Sequence, residues 1–135
     1  MSSLPVINPQ GTDAEMLDNL RRETFPYFLH EVNETTGLIA DKTMPGSPSS
    51  IAAVGMGLSS YVVGVKRNII SRGEAIQRTL KILRFFYNSH QGLEANATGF
   101  KGFYYHFLDM KTGERVWDCE LSTVDSTFFI AGALT

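Results

Sequence analysis

The amino-acid sequence predicts an all-α chain of about four helices, interrupted by one short β-hairpin near residues 103–118. Three patterns carry that expectation. Thr12 with Glu15, and Ser71 with Glu74, have the spacing at which a hydroxyl and a carboxylate satisfy the free donors of a helix start. An almost wholly apolar run, residues 51–65, precedes an amphipathic one, the alternation of two concentric helical layers. The aromatic run Phe103–Leu108 is followed by turn chemistry and Arg115-Val116-Trp117, a hairpin pattern.

In chain order, residues 1–11 carry Pro5, Pro9 and Gly11 and read as an extended arm. A helix then runs from Thr12 to near Val32 on Met16, Leu17, Leu20, Phe28 and Leu29, kinked or split by Pro26. Residues 37–50 are rich in Gly, Pro and Ser and read as loop. The run IAAVGMGLSSYVVGV is expected to be a buried helix with Ser49 or Ser50 as its N-cap. Its glycines Gly55, Gly57 and Gly64 would let neighbouring backbones approach closely. Ile76, Leu80, Leu83 and Tyr87 form the expected apolar face of the next, outer helix. Residues 92–101 read as loop, and Asp109–Gly113 as the hairpin turn. From Ser122 a last helix begins, with Val124, Phe128 and Ala131 on one face and Phe129, Ile130 and Leu134 on a second. The sequence stops inside that helix, so truncation at the C-terminus is expected, together with self-association through exposed apolar helix faces.

Composition excludes several functions. The 135 residues carry a net charge of −2, with no basic patch to hold nucleic acid. The single Cys119 allows no internal disulfide, and no apolar run of membrane-spanning length occurs. No signal peptide opens the chain, which leaves its compartment undecided between cytoplasm and a secreted protein whose leader is absent. His30, His90 and His106 share no metal-ligand spacing, and no phosphate loop or nucleophile elbow is present, so neither metal nor cofactor is expected.

The chemistry concentrates in residues 102–133. Asp125 stands three residues after Ser122, where a carboxylate caps a helix. It equally fits a general base or a substrate-orienting group. Glu120 is a surface glutamate by default, yet Trp117, Cys119, Leu121 and Val124 surround it in sequence with apolar groups. Partial burial would raise its carboxyl, as a general acid at neutral pH requires. Asp118 suits either a bond to the hairpin turn or a ligand contact. Tyr104, Tyr105, His106 and Trp117 offer rings of the kind that pack against sugars, although half of such a hairpin usually enters the core.

The runs LRRETFPYFLHEVNETTGLIADKT (20–43), SIAAVGMGLSSYVVGV (50–65), ILRFFYNSHQGLEA (82–95) and GFYYHFLDMKTGERVWDCELSTVDSTFFIAGAL (102–134) resemble the bacterial glucoamylase-like family. That family includes endo-β-1,2-glucanases and the related domain of cyclic β-1,2-glucan synthases. The resemblance implies that residues 12–135 are the opening third of an (α/α)6 toroid acting on an oligo- or polysaccharide, a β-glucan. Glu120 and Asp125 then become the candidate acids, and Tyr104, Tyr105, His106, Trp117 and Asp118 the candidate sugar contacts. Glycoside hydrolysis ordinarily uses two carboxylates, and the family's second one lies downstream of the matching run. The resemblance therefore implies a glycoside hydrolase whose isolated opening third is inactive. A non-catalytic carbohydrate-binding fragment and a transglycosylase domain making cyclic β-1,2-glucan are the alternatives.

Overall fold

The computed structural model describes residues 11–135, so the arm expected over residues 1–11 lies, but for Gly11, outside the described residues. Helix α1 (Asp13–Thr24) starts at a complete capping box. The Thr12 hydroxyl accepts from the Glu15 N–H at 3.3 Å, and the Glu15 carboxylate accepts from the Thr12 N–H at 2.8 Å. Pro26 cannot continue the ladder, and the chain restarts as the single turn α2 (Tyr27–His30). The expected helix is thus split and ends before Val32, which instead bridges to Ile39.

Residues 37–50 are not a plain loop. Leu38, Ile39 and Ala40 are buried, Ala40 bridges to Ser49, and β1 (Ser49–Ser50) pairs with a later strand. Ser50 is the N-cap of α3 (Ile51–Lys66) by backbone geometry, without a side-chain cap bond.

Helix α3 is the centre of the fold. Ile51, Val54, Leu58 and Tyr61 are buried, and the Tyr61 hydroxyl donates to the Phe28 carbonyl at 3.0 Å. Its glycines serve close approach, as the sequence suggests. A Cβ on Gly55 would lie 2.5 Å from the carbonyl carbon of Phe128 and 2.7 Å from the Phe129 nitrogen, so the two backbones are in direct contact. The helix is not buried all round, however: Met56, Val62 and Val63 are exposed.

Helix α4 (Arg72–Tyr87) is capped by the Ser71 hydroxyl, which accepts from the Glu74 N–H at 3.1 Å. Its inward face differs from the expected one. Ala75, Ile82 and Phe86 are buried, while Ile76 is exposed and Tyr87 is 90% exposed. The apolar stripe on this helix is broader than one core can cover, and the small Ala75 marks the close side. Helix α5 (Thr123–Leu134) shows the same displacement: Ser126, Phe129 and Gly132 face inward, and Val124, Phe128, Ile130 and Leu134 face out. Its tight seat on Gly55 demands small residues at the contact, which turns the larger side chains away.

The hairpin proves to be part of two small antiparallel sheets. In one, β2 (Gly99–Phe100), β3 (Phe103–Tyr105) and β5 (Leu121–Ser122) lie in the order β2-β3-β5. In the other, β4 (Phe107–Leu108) pairs with β1, Ser50 opposite Phe107. The expected return strand survives as a single bridge between Leu108 and Arg115, with the Val116 N–H donating to the Phe107 carbonyl at 3.2 Å. Residues 92–101, expected as loop, contribute β2. Among the described residues no helix is long and apolar enough to cross a membrane.

Candidate functional site

His106 sits where the chain leaves one sheet and enters the other. Its N–H donates to the Glu120 carbonyl at 3.0 Å, and its carbonyl accepts from Ile51, the first residue of α3, at 3.2 Å. The backbone at His106 is therefore tied to the hairpin–helix junction and to the central helix at once. Face to face with it, 3.9 Å between centroids, lies Phe107; Trp117 then meets Phe107 edge-on at 5.6 Å. The three rings form one aromatic row, and its outer member Trp117 is 72% exposed.

Two carboxylates address the same imidazole. The Glu120 Oε1 is 2.8 Å from Nδ1, a hydrogen bond, and the Asp125 Oδ2 is 3.5 Å from Nε2, an ion-pair distance. Side-chain exposure falls across the row from 67% at Glu120 through 29% at His106 to 14% at Asp125. Asp125 also completes the α5 cap: its N–H donates to the Ser122 hydroxyl at 3.1 Å, and that hydroxyl donates to the Asp125 carboxylate. The cap and the contact with His106 coexist on one side chain.

Glu120 is not partly buried. Trp117 and Val124, its expected apolar neighbours, turn outward, and the carboxyl stands in water. Its own backbone N–H, and after it the His106 ring, hold the carboxyl below the usual glutamate value. The raised acid expected from sequence is replaced by a stabilised carboxylate, because exposure removes the desolvation that would have lifted it.

The remaining sugar-contact candidates separate. Tyr105 is buried, with the Arg115 guanidinium 4.4 Å over its ring. Tyr104 packs on Phe86 at 4.8 Å and on Phe129 at 5.2 Å, and burial pushes its hydroxyl up from the ordinary value. These two rings serve the core. Asp118 is exposed, and its backbone carbonyl, not its carboxylate, accepts from Arg115. Cys119 makes contacts of 3.3 and 3.4 Å with the backbone N–H and carbonyl of Phe107, a structural place. Among the described residues no group of three or more His, Cys, Asp or Glu could hold a metal ion.

Phe107, Arg115 and Ser122 are the members of this region that the sequence did not mark as site residues. The only signal for Phe107 was its place beside His106, since a strand should send the two in opposite directions. A bend at His106 stacks them instead. A groove of about 650 Å³ lies elsewhere, between Lys81, Arg84 and Phe85 of α4 and the segment containing Asn96 and Thr112. Glu114 lines it, but neither Glu120 nor Asp125 does.

No protein-family model matches the chain. An exo β-1,2-glucooligosaccharide sophorohydrolase (non-reducing end) from Parabacteroides distasonis is 33% identical over 131 residues, which are 92% of this chain and 17% of that protein. The crystal structure of a β-1,2-glucanase from the same organism matches with a TM-score of 0.74 and 29% identity, over 90% of this chain and 17% of the other. A protein from Bacteroides uniformis proposed to be a glucoamylase matches with a TM-score of 0.76 and 26% identity, over 91% of this chain and 30% of the other. The chain thus spans less than a third of each of these proteins.

Proposed function

From its homology to one part of the bacterial β-1,2-glucanases and glucoamylase-like proteins, we propose that this chain forms one lip of the sugar cleft of a glycoside hydrolase acting on β-1,2-glucan. The observation that carries the reading is the row Glu120–His106–Asp125 set beside the exposed ring of Trp117. An aromatic face gives a sugar ring its apolar platform, and a carboxyl within reach can protonate the leaving oxygen. On this reading α3, α4 and α5 are part of an (α/α)6 toroid. The exposed apolar faces of α3 and α5 are then the seats of its further helices.

Glu120 and Asp125 are not a catalytic pair across a glycosidic bond, because the imidazole of His106 occupies the space between them. Glycoside hydrolysis ordinarily places its two carboxyl groups on opposite sides of the scissile bond. Glu120, the exposed member, is the general acid; Asp125 holds His106 and caps α5. The opposing carboxylate comes from outside these 135 residues, and the chain by itself does not hydrolyse glucan.

A chimera tests this: residues 11–135 replace the matching part of the Parabacteroides β-1,2-glucanase, and release of glucooligosaccharides is followed. Activity is expected, and Glu120→Gln should lower kcat by about 100-fold or more with little change in KM. Undiminished turnover in Glu120→Gln removes that residue from the chemistry. The lowered Glu120 carboxyl favours one second reading, a lip that binds sugar without reacting. That reading expects binding to the 135-residue chain and an inactive chimera.

A further inference from the structure

The turn that presents Trp117 and Glu120 is held by one side chain. Trp117 has φ +55° and Asp118 φ +49°, two successive non-glycine residues in the left-handed region, where a Cβ crowds its own backbone. Such a turn persists only when its surroundings impose it. The Cys119 N–H closes it on the Val116 carbonyl at 3.1 Å. Arg115 then spans it: Nε donates to the Cys119 carbonyl and Nη2 to the Asp118 carbonyl, both at 2.6 Å. The planar fork of a guanidinium suits two adjacent carbonyls as an ammonium cannot. Its face rests 4.4 Å over the buried ring of Tyr105, and its backbone N–H is tied to the Ala97 carbonyl at 3.2 Å. Among the described residues Arg115 makes no ion pair with a carboxylate within 4.0 Å. The guanidinium is thus given over to backbone carbonyls.

We propose that Arg115 is a positioning residue for the sugar site: its guanidinium locks the Trp117–Asp118 turn, and so sets Trp117 against Phe107 and Glu120 against His106. It touches no substrate. The sugar-binding consequence rests on the function proposed above; the hold on the turn does not.

Trp117 is the only tryptophan, so its fluorescence reports the turn directly. Acrylamide quenching of the 135-residue chain is compared between wild type, Arg115→Met and Arg115→Lys, with circular dichroism to show that the helices remain. Freeing the ring in Arg115→Met should raise the quenching constant, and Arg115→Lys should recover little of the restraint. Should Arg115→Met fail to fold, Arg115→Lys carries the comparison. Asp118→Gly in the Arg115→Met background removes the left-handed strain at one of the two positions and should restore part of the restraint. The Glu120 carboxyl, followed by carbon NMR, should titrate higher without Arg115. Affinity for β-1,2-glucooligosaccharides should fall about tenfold, the equivalent of one lost anchoring contact. Wild-type quenching in folded Arg115→Met overturns the proposal, as does a loss of sugar affinity with the quenching unchanged. A wild-type chain that binds no sugar counts against the sugar-binding lip alone, since the quenching arm still decides the role of Arg115.

Discussion

Gly55→Ala separates α5 from α3 and should show how far the site depends on that contact. The added Cβ would stand 2.5 Å from the Phe128 carbonyl carbon and 2.7 Å from the Phe129 nitrogen. These are backbone atoms in the middle of a helix, so no rotamer change relieves the clash. Gly132 faces the same contact from the other side, a Cβ there lying 2.8 Å from the Gly55 carbonyl carbon. The helices must move apart. Overpacking of this kind costs about 3 kcal/mol, and the better helix propensity of alanine returns about 1, leaving a net loss of about 2 kcal/mol.

Gly73→Ala is the matched control. It sits in the first turn of α4, and its nearest neighbour, the Ser71 hydroxyl, would be 3.9 Å from the new methyl. There only the propensity and chain-entropy gain remains, about 0.5–1 kcal/mol of added stability. Urea denaturation of the two variants, followed by circular dichroism with the slope checked for constancy, gives both numbers. The functional readout is His106, whose ring shifts by NMR should move in Gly55→Ala because Asp125 rides on the first turn of α5. A neutral or stabilising Gly55→Ala would refute the argument that backbone contact fixes α5.

Three further outcomes follow from single contacts. Ser122→Ala removes the hydroxyl that caps α5 and should cost about 1 kcal/mol by the same denaturation measurement, with the His106–Asp125 distance loosened. Asp109→Ala should cost about 1 kcal/mol at neutral pH, since Oδ1 accepts from the N–H groups of Thr112 and Lys111 at 2.9 and 2.8 Å. Those two bonds, Thr112 first, lower the folded Asp109 carboxyl. Its contribution is therefore present above the unfolded carboxyl value and lost as pH falls through the lower folded one, so acid titration of wild type and variant should converge. Trp117→Ala should leave stability within about 0.5 kcal/mol, the ring being mostly exposed, while calorimetry shows β-1,2-glucooligosaccharide affinity falling by about tenfold or more.

What the sequence reveals here is local chemistry, and what it hides is choice of partner. Thr12, Ser71 and Ser122 are legible as caps because each hydroxyl meets a backbone donor three residues on. Pro26 and Gly55 are legible for the same reason, one lacking a donor and the other a side chain. The faces of α4 and α5 are not. Both helices carry apolar residues around more than half their circumference, and periodicity cannot rank Ile76 and Leu80 against Ala75, Ile82 and Phe86. Strands of two residues, such as β1 and β2, have no period at all. The link from His106 to Glu120 spans fourteen positions and two sheets, so no spacing rule could contain it.

The misplaced faces and the lowered carboxyl of Glu120 have one physical origin. Both expectations took apolar neighbours in sequence to mean apolar surroundings in space, and in this chain Trp117, Val124 and Phe128 point into solvent. A carboxyl in water beside an imidazole is a good anion and a poor proton donor. An acid at this position needs its surroundings dried, and the outward apolar residues of α5 are a surface on which a covering element would exclude water. Burial of Glu120 under such an element would raise the carboxyl by desolvation, against the lowering pull of its hydrogen bond to His106. The measurement that checks this is the Glu120 titration, free and within the chimera. It should move upward in the chimera; an unmoved value would leave Glu120 an anion and favour the binding lip over the general acid.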